Sequence, residues 1–226
     1  WGLPVASLAG ATCLEKLGTT VADLEQRIHG CLQHWMPRHF DQDEGAFYGF
    51  YSAPEKRLEP PQTVNLIAPW LLLAAYDRSQ EAALLQMARR SADWFYDRFV
   101  VSHPMSVVIG GVRESLPAGD LWTKFAAEYS LLASGIYRRT GDETALSRAR
   151  QSAGFLIQSA RHHFAPRYDT LAGEWRARGW QSFGRVVEAF LELADVTGET
   201  RWQARALDWG EFGLTLQAED GCFYLI

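Results

Sequence analysis

The residues best suited to chemistry in this chain lie between its helical stretches. Asp120 stands at the predicted opening of a helix, two residues before Trp122. A carboxylate in that position has two readings. It can cap the helix by accepting hydrogen bonds from the orphan N–H groups of the first turn. It can also serve as a general acid or base, its pKa raised by burial among aromatic rings. Further on, Tyr168, Asp169, Glu174, Trp175, Arg176, Arg178 and Trp180 crowd into thirteen residues. An Arg fork matches a carboxylate bidentately and a Trp offers a stacking face, so the stretch suits a sugar acid. It equally suits a loop pinned by its own Arg–carboxylate pairs. Arg113 and Glu114 can reach a substrate or pair with each other. Asp41, Asp43 and Glu44 lack the spacing of an EF-hand and read as a solvated turn. His103 and His162–His163 come without HExxH or any paired ligand, so they read as surface or capping residues and no metal is expected.

The elements that must position these residues repeat along the chain. Ala74–Phe95 (AAYDRSQEAALLQMARRSADWF), Ser134–Leu156 (SGIYRRTGDETALSRARQSAGFL) and Leu191–Phe212 (LELADVTGETRWQARALDWGEF) each read as the end of an apolar helix, a tight polar turn and an amphipathic helix. ARRSADWF and ARQSAGFL are offset by 61 residues, and the TGDET and TGET turns by 57. A second likeness joins DQDEGAFYGF (Asp41–Phe50) to AEDGCFYLI (Ala218–Ile226). Apolar spacing near i, i+3, i+4 predicts helices at about 20–39, 63–77, 80–99, 122–139, 143–162, 182–196 and 200–217. Thr140-Gly141-Asp142 and Thr197-Gly198-Glu199 stop one helix and cap the next. Short extended pieces are expected at Ser106–Val112 and Phe47–Tyr51. The connections near 79, 141 and 198 are a few residues long, whereas those at 40–62, 100–121 and 163–181 run to about twenty. Antiparallel pairing then gathers every long loop on one face, where function concentrates.

Composition narrows the classes. The chain has 226 residues, 47% hydrophobic and 22% charged, with a net charge of -5 and a mean hydropathy of -0.18. That is enough for a real core, and it excludes disorder, collagen and coiled coil. No apolar run is long enough to cross a membrane. No Lys/Arg run exceeds two, which speaks against a nucleic-acid partner. Nine Trp form part of a 13% aromatic share, which reads first as large core fillers and second as surfaces for stacking on sugars. Cys13, Cys31 and Cys222 are odd in number and lack CxxC spacing, which fits a reducing, cytoplasmic compartment. Trp1–Thr12 has no basic region before its apolar run; were it the remnant of a signal peptide, the compartment would be periplasmic. GxSxG, GxxxxGK[ST] and GxGxxG are all absent, which leaves acyl transfer, nucleotide hydrolysis and dinucleotide chemistry without support.

The helix pairs with their TGD and TGE turns resemble the six-hairpin, (α/α) toroid glycosidases and their relatives, over most of residues 20–226. His34–Gln62 (HWMPRHFDQDEGAFYGFYSAPEKRLEPPQ) and Val186–Glu199 (VVEAFLELADVTGE) are similar to N-acylglucosamine 2-epimerases. Gly119–Ala149 (GDLWTKFAAEYSLLASGIYRRTGDETALSRA) and Arg167–Gly184 (RYDTLAGEWRARGWQSFG) resemble unsaturated glucuronyl and rhamnogalacturonyl hydrolases. Those epimerases carry a His three residues before the helical Glu, where Arg185 precedes Glu188 here, and an Arg where this chain has Asn65. The Arg178-Gly179-Trp180 run is shorter than the hydrolase loop, and no second Asp motif accompanies Asp120.

The resemblance implies an all-α fold of antiparallel hairpins in a toroid or incomplete arc, with short β pieces in long loops. Residues 1–18 are expected to be irregular, and 19–226 to form a single hairpin-repeat domain that ends mid-repeat; a second copy or further chain would complete the ring. The implied function is a carbohydrate-active enzyme acting on an acidic saccharide, most like an unsaturated glycuronyl hydrolase. In that chemistry Asp120 protonates the sugar double bond and activates water, and no metal or organic cofactor is needed. Arg178, with Trp122, Trp175 and Trp180, holds the uronate, and Tyr48, Arg113, Tyr168 and Asp169 complete the binding set. The alternatives are a sugar epimerase of the N-acylglucosamine type and a non-catalytic saccharide-binding or assembly module. Tyr48, Asp120, Trp122, Trp175, Arg178 and Trp180 are expected to line one concavity, with Asp120 and Arg178 on the order of 10 Å apart, and the turns at Gly141 and Gly198 at the opposite end.

Overall fold

The computed structural model describes residues 26, 30, 39–48, 64–114, 119–177 and 182–219. The fold is all-α, built from antiparallel helix pairs with short strands between them. Two compact units divide the chain, Trp1–Tyr96 and Asp97–Ile226. No helix among the described residues is long and apolar enough to cross a membrane.

In the first unit, β1 (Phe40–Asp41) pairs antiparallel with β2 (Ala46–Phe47). The turn between them is held from inside, because Asp41 Oδ1 accepts from the N–H groups of Asp43 and Glu44 at 2.9 and 3.0 Å. Gly45 closes it at φ +79°, a conformation that costs a glycine nothing. Helix α1 (Val64–Ser79) is apolar nearly all round, as befits a helix buried on several sides. It is followed by α2 (Ala82–Phe99), whose last residues pass into the second unit. Asn65 ties these elements together. Fully buried, it accepts from Phe47 N–H at 2.7 Å, donates to Phe47 C=O at 3.1 Å, and accepts from the Ser91 hydroxyl at 2.9 Å. Its amide copies a backbone partner for the edge of β2. The acidic turn, expected to be solvated, is clamped to α2: Trp94 donates to Glu44 at 3.2 Å, and Arg90 donates to the carbonyls of Gln42 and Asp43.

The second unit holds α3 (Thr123–Thr140), α4 (Glu143–Arg161), α5 (Phe183–Thr197) and α6 (Thr200–Thr215). Each pair reverses over two residues. Gly141 and Gly198 sit in the left-handed region at φ +68° and +70° and donate back to Tyr137 and Ala194. Asp142 then caps α4, its side chain accepting from Thr144 N–H. Helix α3 packs on both α4 and α5, and α5 packs on α6. This makes α3 and α5 the inner helices. Trp209, Phe155, Phe190 and Tyr129 are among the largest fully buried side chains of this unit.

Between the helices the structure departs from the sequence reading. Ser106–Val112, expected to be extended, is mostly turns. It is clasped by Val101 N–H to Gly111 C=O, by Gly110 N–H to Val101 C=O and by the Val100–Val112 bridge. Gly110 lies so close to α4 that a Cβ there would stand 2.0 Å from the Gln151 carbonyl. A three-stranded antiparallel sheet also forms where a loop was expected, from β3 (Leu121–Trp122), β4 (Arg167–Asp169) and β5 (Glu174–Arg176). In the expected helix at 20–39 Gln26 and Gly30 are helical; most of that span lies outside the described residues.

Asn65→Ala leaves the Phe47 amide and the Ser91 hydroxyl buried without their partner. It should lower the unfolding free energy by about 3 kcal/mol, given about 1–3 kcal/mol per orphaned group. Urea denaturation of the full chain reads this directly; a loss below about 0.5 kcal/mol would show that water replaces the amide.

Candidate functional site

The connections leading into the inner helices build the site. Strand β3 runs straight into α3, and Thr123, the first helical residue, is fixed to β4: its N–H and hydroxyl both donate to Pro166 C=O, at 2.9 and 3.0 Å. Trp122 is the N-cap residue of α3 and makes no side-chain cap bond. Asp120 is therefore not the cap.

The register sets which side chains share a face. Leu121 pairs with Tyr168 and Tyr168 with Trp175; Trp122 pairs with Arg167 and Arg167 with Arg176; Asp169 pairs with Glu174. Because strand side chains alternate, Trp122, Arg167 and Arg176 lie on one face with Asp120, Asp169 and Glu174. That face is an array of guanidinium and carboxylate groups around an indole. Arg167 donates to Asp120 and sets its guanidinium 5.5 Å from the centre of the Trp122 ring. Trp122 donates to Glu114 at 3.2 Å. Arg176 is held by Asp169 at 3.1 Å and by Glu174 at 2.5 Å. The Asp169 carboxyl lies below the usual carboxylate range, chiefly because the Ala172 N–H donates to it and next because Arg176 does. On the other face Trp175 is wedged between Phe155 at 4.9 Å, His162 stacked at 5.4 Å and the edge of Tyr168 at 5.5 Å. A cavity of about 440 Å³ opens here, lined by Arg167, Asp169, Trp175, Arg176 and Ala177.

The structure thus brings Asp120, Trp122, Tyr168, Asp169 and Trp175 onto one small sheet. Arg113 joins its edge through a bridge to Leu121. The Arg113 side chain is half-buried and makes no ion pair or side-chain hydrogen bond with any described residue. Arg178 and Trp180 lie outside the described residues. Tyr48 belongs to the first unit, where it is 7% exposed and donates to Asp41 at 2.9 Å. Its hydroxyl pKa is raised by burial first, then by the hydrogen bond to Asp41 and the charges of Asp41 and Asp43.

Sequence reasoning missed the charged residues of the inner helices. Glu128, one and a half turns into α3, is 9% exposed and has no hydrogen-bond partner among the described residues. Burial raises its carboxyl pKa; the charges of Lys124 and Arg185 pull it back part of the way. Arg185, near the start of α5, pairs with Glu188 at 2.7 Å. Farther along the same helices, Arg138 binds Glu192 at 3.0 Å and Asp195 at 2.5 Å. Position 128 faces 185 and position 138 faces 192 and 195, so α3 and α5 run parallel. Their N-termini share the end that carries the sheet, and Gly141 and Gly198 share the other. Two helix N-termini there add positive potential.

Solved structures share this fold. No family model matches the chain, and no curated protein does. A D-mannose isomerase matches over 99% of this chain and 61% of its own, at TM-score 0.68 and 17% identity. A family 76 mannosidase from Bacteroides thetaiotaomicron matches over 96% and 61%, at TM-score 0.68 and 14% identity. A cellobiose 2-epimerase from Spirochaeta thermophila matches over 89% and 55%, at TM-score 0.66 and 16% identity. Over the matched span the chain shares the antiparallel helix-pair fold of these structures. It spans about 60% of the length of these matched structures.

The state of Glu128 has a measurable signature. A carboxyl whose folded pKa is raised contributes stability that is complete below its ordinary value of 4.5 and is lost as pH rises through the raised value. From pH 4.5 to 8, unfolding free energies from denaturant titrations should therefore shift in favour of Glu128→Gln over the native chain. A constant difference across that range would show an ordinary, solvated Glu128.

Proposed function

We propose that the chain is part of a carbohydrate-active enzyme of the hydrolase type, whose saccharide lies against the sheet of β3, β4 and β5. The observation that carries this reading is the array of Trp122, Arg167, Arg176, Asp120 and Asp169 beside a sugar-sized cavity, on the end of the inner helices where long loops collect. Sugars take alternating hydrogen bonds from planar charged groups and apolar contact from indole rings, and the array offers both. Asp120, held by Arg167, suits the part of a base or charge partner to a reacting sugar more than that of a proton donor.

Charge decides between saccharide classes. Arg167 and Arg176 are already matched by Asp120, Asp169 and Glu174, so the sheet face fits a neutral ring. A uronate, as an unsaturated glycuronyl hydrolase would take, needs an unmatched cation; Arg113, and Arg178 beyond the described residues, are the groups that could serve. Epimerisation is the second reading, favoured by the isomerase and epimerase among the structural neighbours. Against it stands Arg185 in place of a proton-shuttling His.

The test is a panel of manno- and gluco-oligosaccharides, unsaturated oligouronides and their isomers. Reducing-end release reads hydrolysis, loss of double-bond absorbance reads the uronide reaction, and isomer appearance reads epimerisation. Trp122→Ala should raise KM for the active compound about three- to tenfold, the range of one aromatic contact. A full chain that neither binds nor converts any member would overturn the assignment.

A further inference from the structure

Strand β5 is a weak place to hold a side chain. It has three residues and one strand neighbour, β4, among the described residues. The cavity nevertheless takes two of its walls from there, Trp175 and Arg176. Pairing over three residues fixes the line of a strand and leaves an indole free to turn about its side-chain torsions. What holds Trp175 comes largely from α4. Phe155 and His162 stand seven residues apart, two helical turns, and so share one side of that helix. The fully buried Phe155 ring lies 4.9 Å from Trp175, and the His162 ring stacks on it at 5.4 Å and 17°. Phe155 serves the core wherever the indole points. His162 is exposed, and Trp175 is its ring contact among the described residues. The backbone that places His162 is built at a cost. Its N–H closes α4 onto Ser159 C=O at 2.9 Å, and the Ser159 hydroxyl donates to Ala165 C=O at 2.7 Å. Between them His163 and Phe164 both turn left-handed, at φ +57° and +55°, a conformation that a Cβ resists. Phe164 offsets that cost, stacked on Phe212 at 4.1 Å and edge-on to Trp209 at 4.9 Å. The reversal leaves His162 against the indole and leads the chain into β4 at Arg167.

We propose that His162 is a positioning residue of the saccharide site; this rests on the reading of the sheet as the place where a sugar lies. Its imidazole holds the Trp175 indole in place beside Phe155, so that the ring presents a fixed wall to the cavity. A flat ring with a polar edge suits the task, since one face covers the indole while the nitrogen atoms stay in water. Arg176, the next residue of β5, projects to the opposite face and binds Asp169 at 3.1 Å. An indole that cannot turn keeps β5 in the register with β4 that this pair requires. His162 thus acts on the sugar through Trp175 and takes no part in making or breaking bonds.

The experiment is a double-mutant cycle in the full chain between His162→Ala and Trp175→Leu, on whichever oligosaccharide of the panel the native chain converts. His162→Ala should raise KM about three- to tenfold, the range of one aromatic contact, with kcat changed less than about twofold. His162→Phe, which keeps the stack, should restore KM to within about twofold of the native value. Added to Trp175→Leu, His162→Ala should change KM by less than about twofold, because the ring it acts through is already gone. Near-UV circular dichroism reads the contact without turnover: the change that His162→Ala makes in the indole bands should vanish on the Trp175→Leu background. A native KM in His162→Ala, an equal effect with and without Trp175, or a fall in kcat that His162→Phe does not restore would each overturn this inference while leaving the saccharide reading intact. If His162→Ala fails to fold by far-UV circular dichroism, His162→Gln, which also removes the ring, takes its place and the same outcomes decide. A native chain that converts nothing in the panel removes the saccharide reading and this inference with it.

Discussion

Two-residue links between helices govern this molecule. A helix can reverse over so short a link only if its last residue turns left-handed, which glycine does at no steric cost and other residues do at about 1 kcal/mol or more. Gly141 and Gly198 supply that residue, and the chain therefore returns antiparallel at both places. Everything longer must then connect the opposite ends. The sheet of β3, β4 and β5 forms there because its strands leave and enter helices on the same side, and Thr123, bonded twice to Pro166 C=O, fixes β4 to the first turn of α3.

The parallel packing of α3 and α5 carries charge at two levels, and exposure separates their energetics. Arg138 with Glu192 and Asp195 is largely solvent-exposed, with side-chain exposures of 40%, 23% and 67%. Pairs of that kind stabilise by about 1 kcal/mol or less each, so they align the helices more than they hold them. The level at Glu128 is different, because its side chain is mostly buried. Burial outweighs the pull of Lys124 and Arg185, as the upward shift of the carboxyl indicates.

The second unit's helices were legible within one or two residues, because TGD and TGE turns mark both reversals and the apolar spacing is regular between them. The sheet was not legible. Strands of two and three residues show no alternation, and the signal was a turn: Asp169, followed four residues later by Gly173 at φ +71°, closes a hairpin through Gly173 N–H to Asp169 C=O. Asp120 was read as a cap or a catalytic group, and nothing in the sequence showed that Arg167, 47 residues away, would engage it. Glu128 was passed over because AAEYSLL reads as an ordinary helical run. Its distinction arises from burial, which a single sequence does not display.

Asn65 stands where the sugar epimerases that this chain resembles carry an arginine, and its contacts give it a structural part. Here both ends of the amide are engaged by Phe47 and Ser91 in a fully buried setting. An arginine could not reproduce that pattern, since it donates only and would leave the Phe47 N–H without an acceptor. The asparagine is therefore coupled to the local backbone through its bonds to β2 and α2. In the second unit the guanidinium groups of Arg167 and Arg176 stand on the β3–β4–β5 sheet, each already paired with carboxylates.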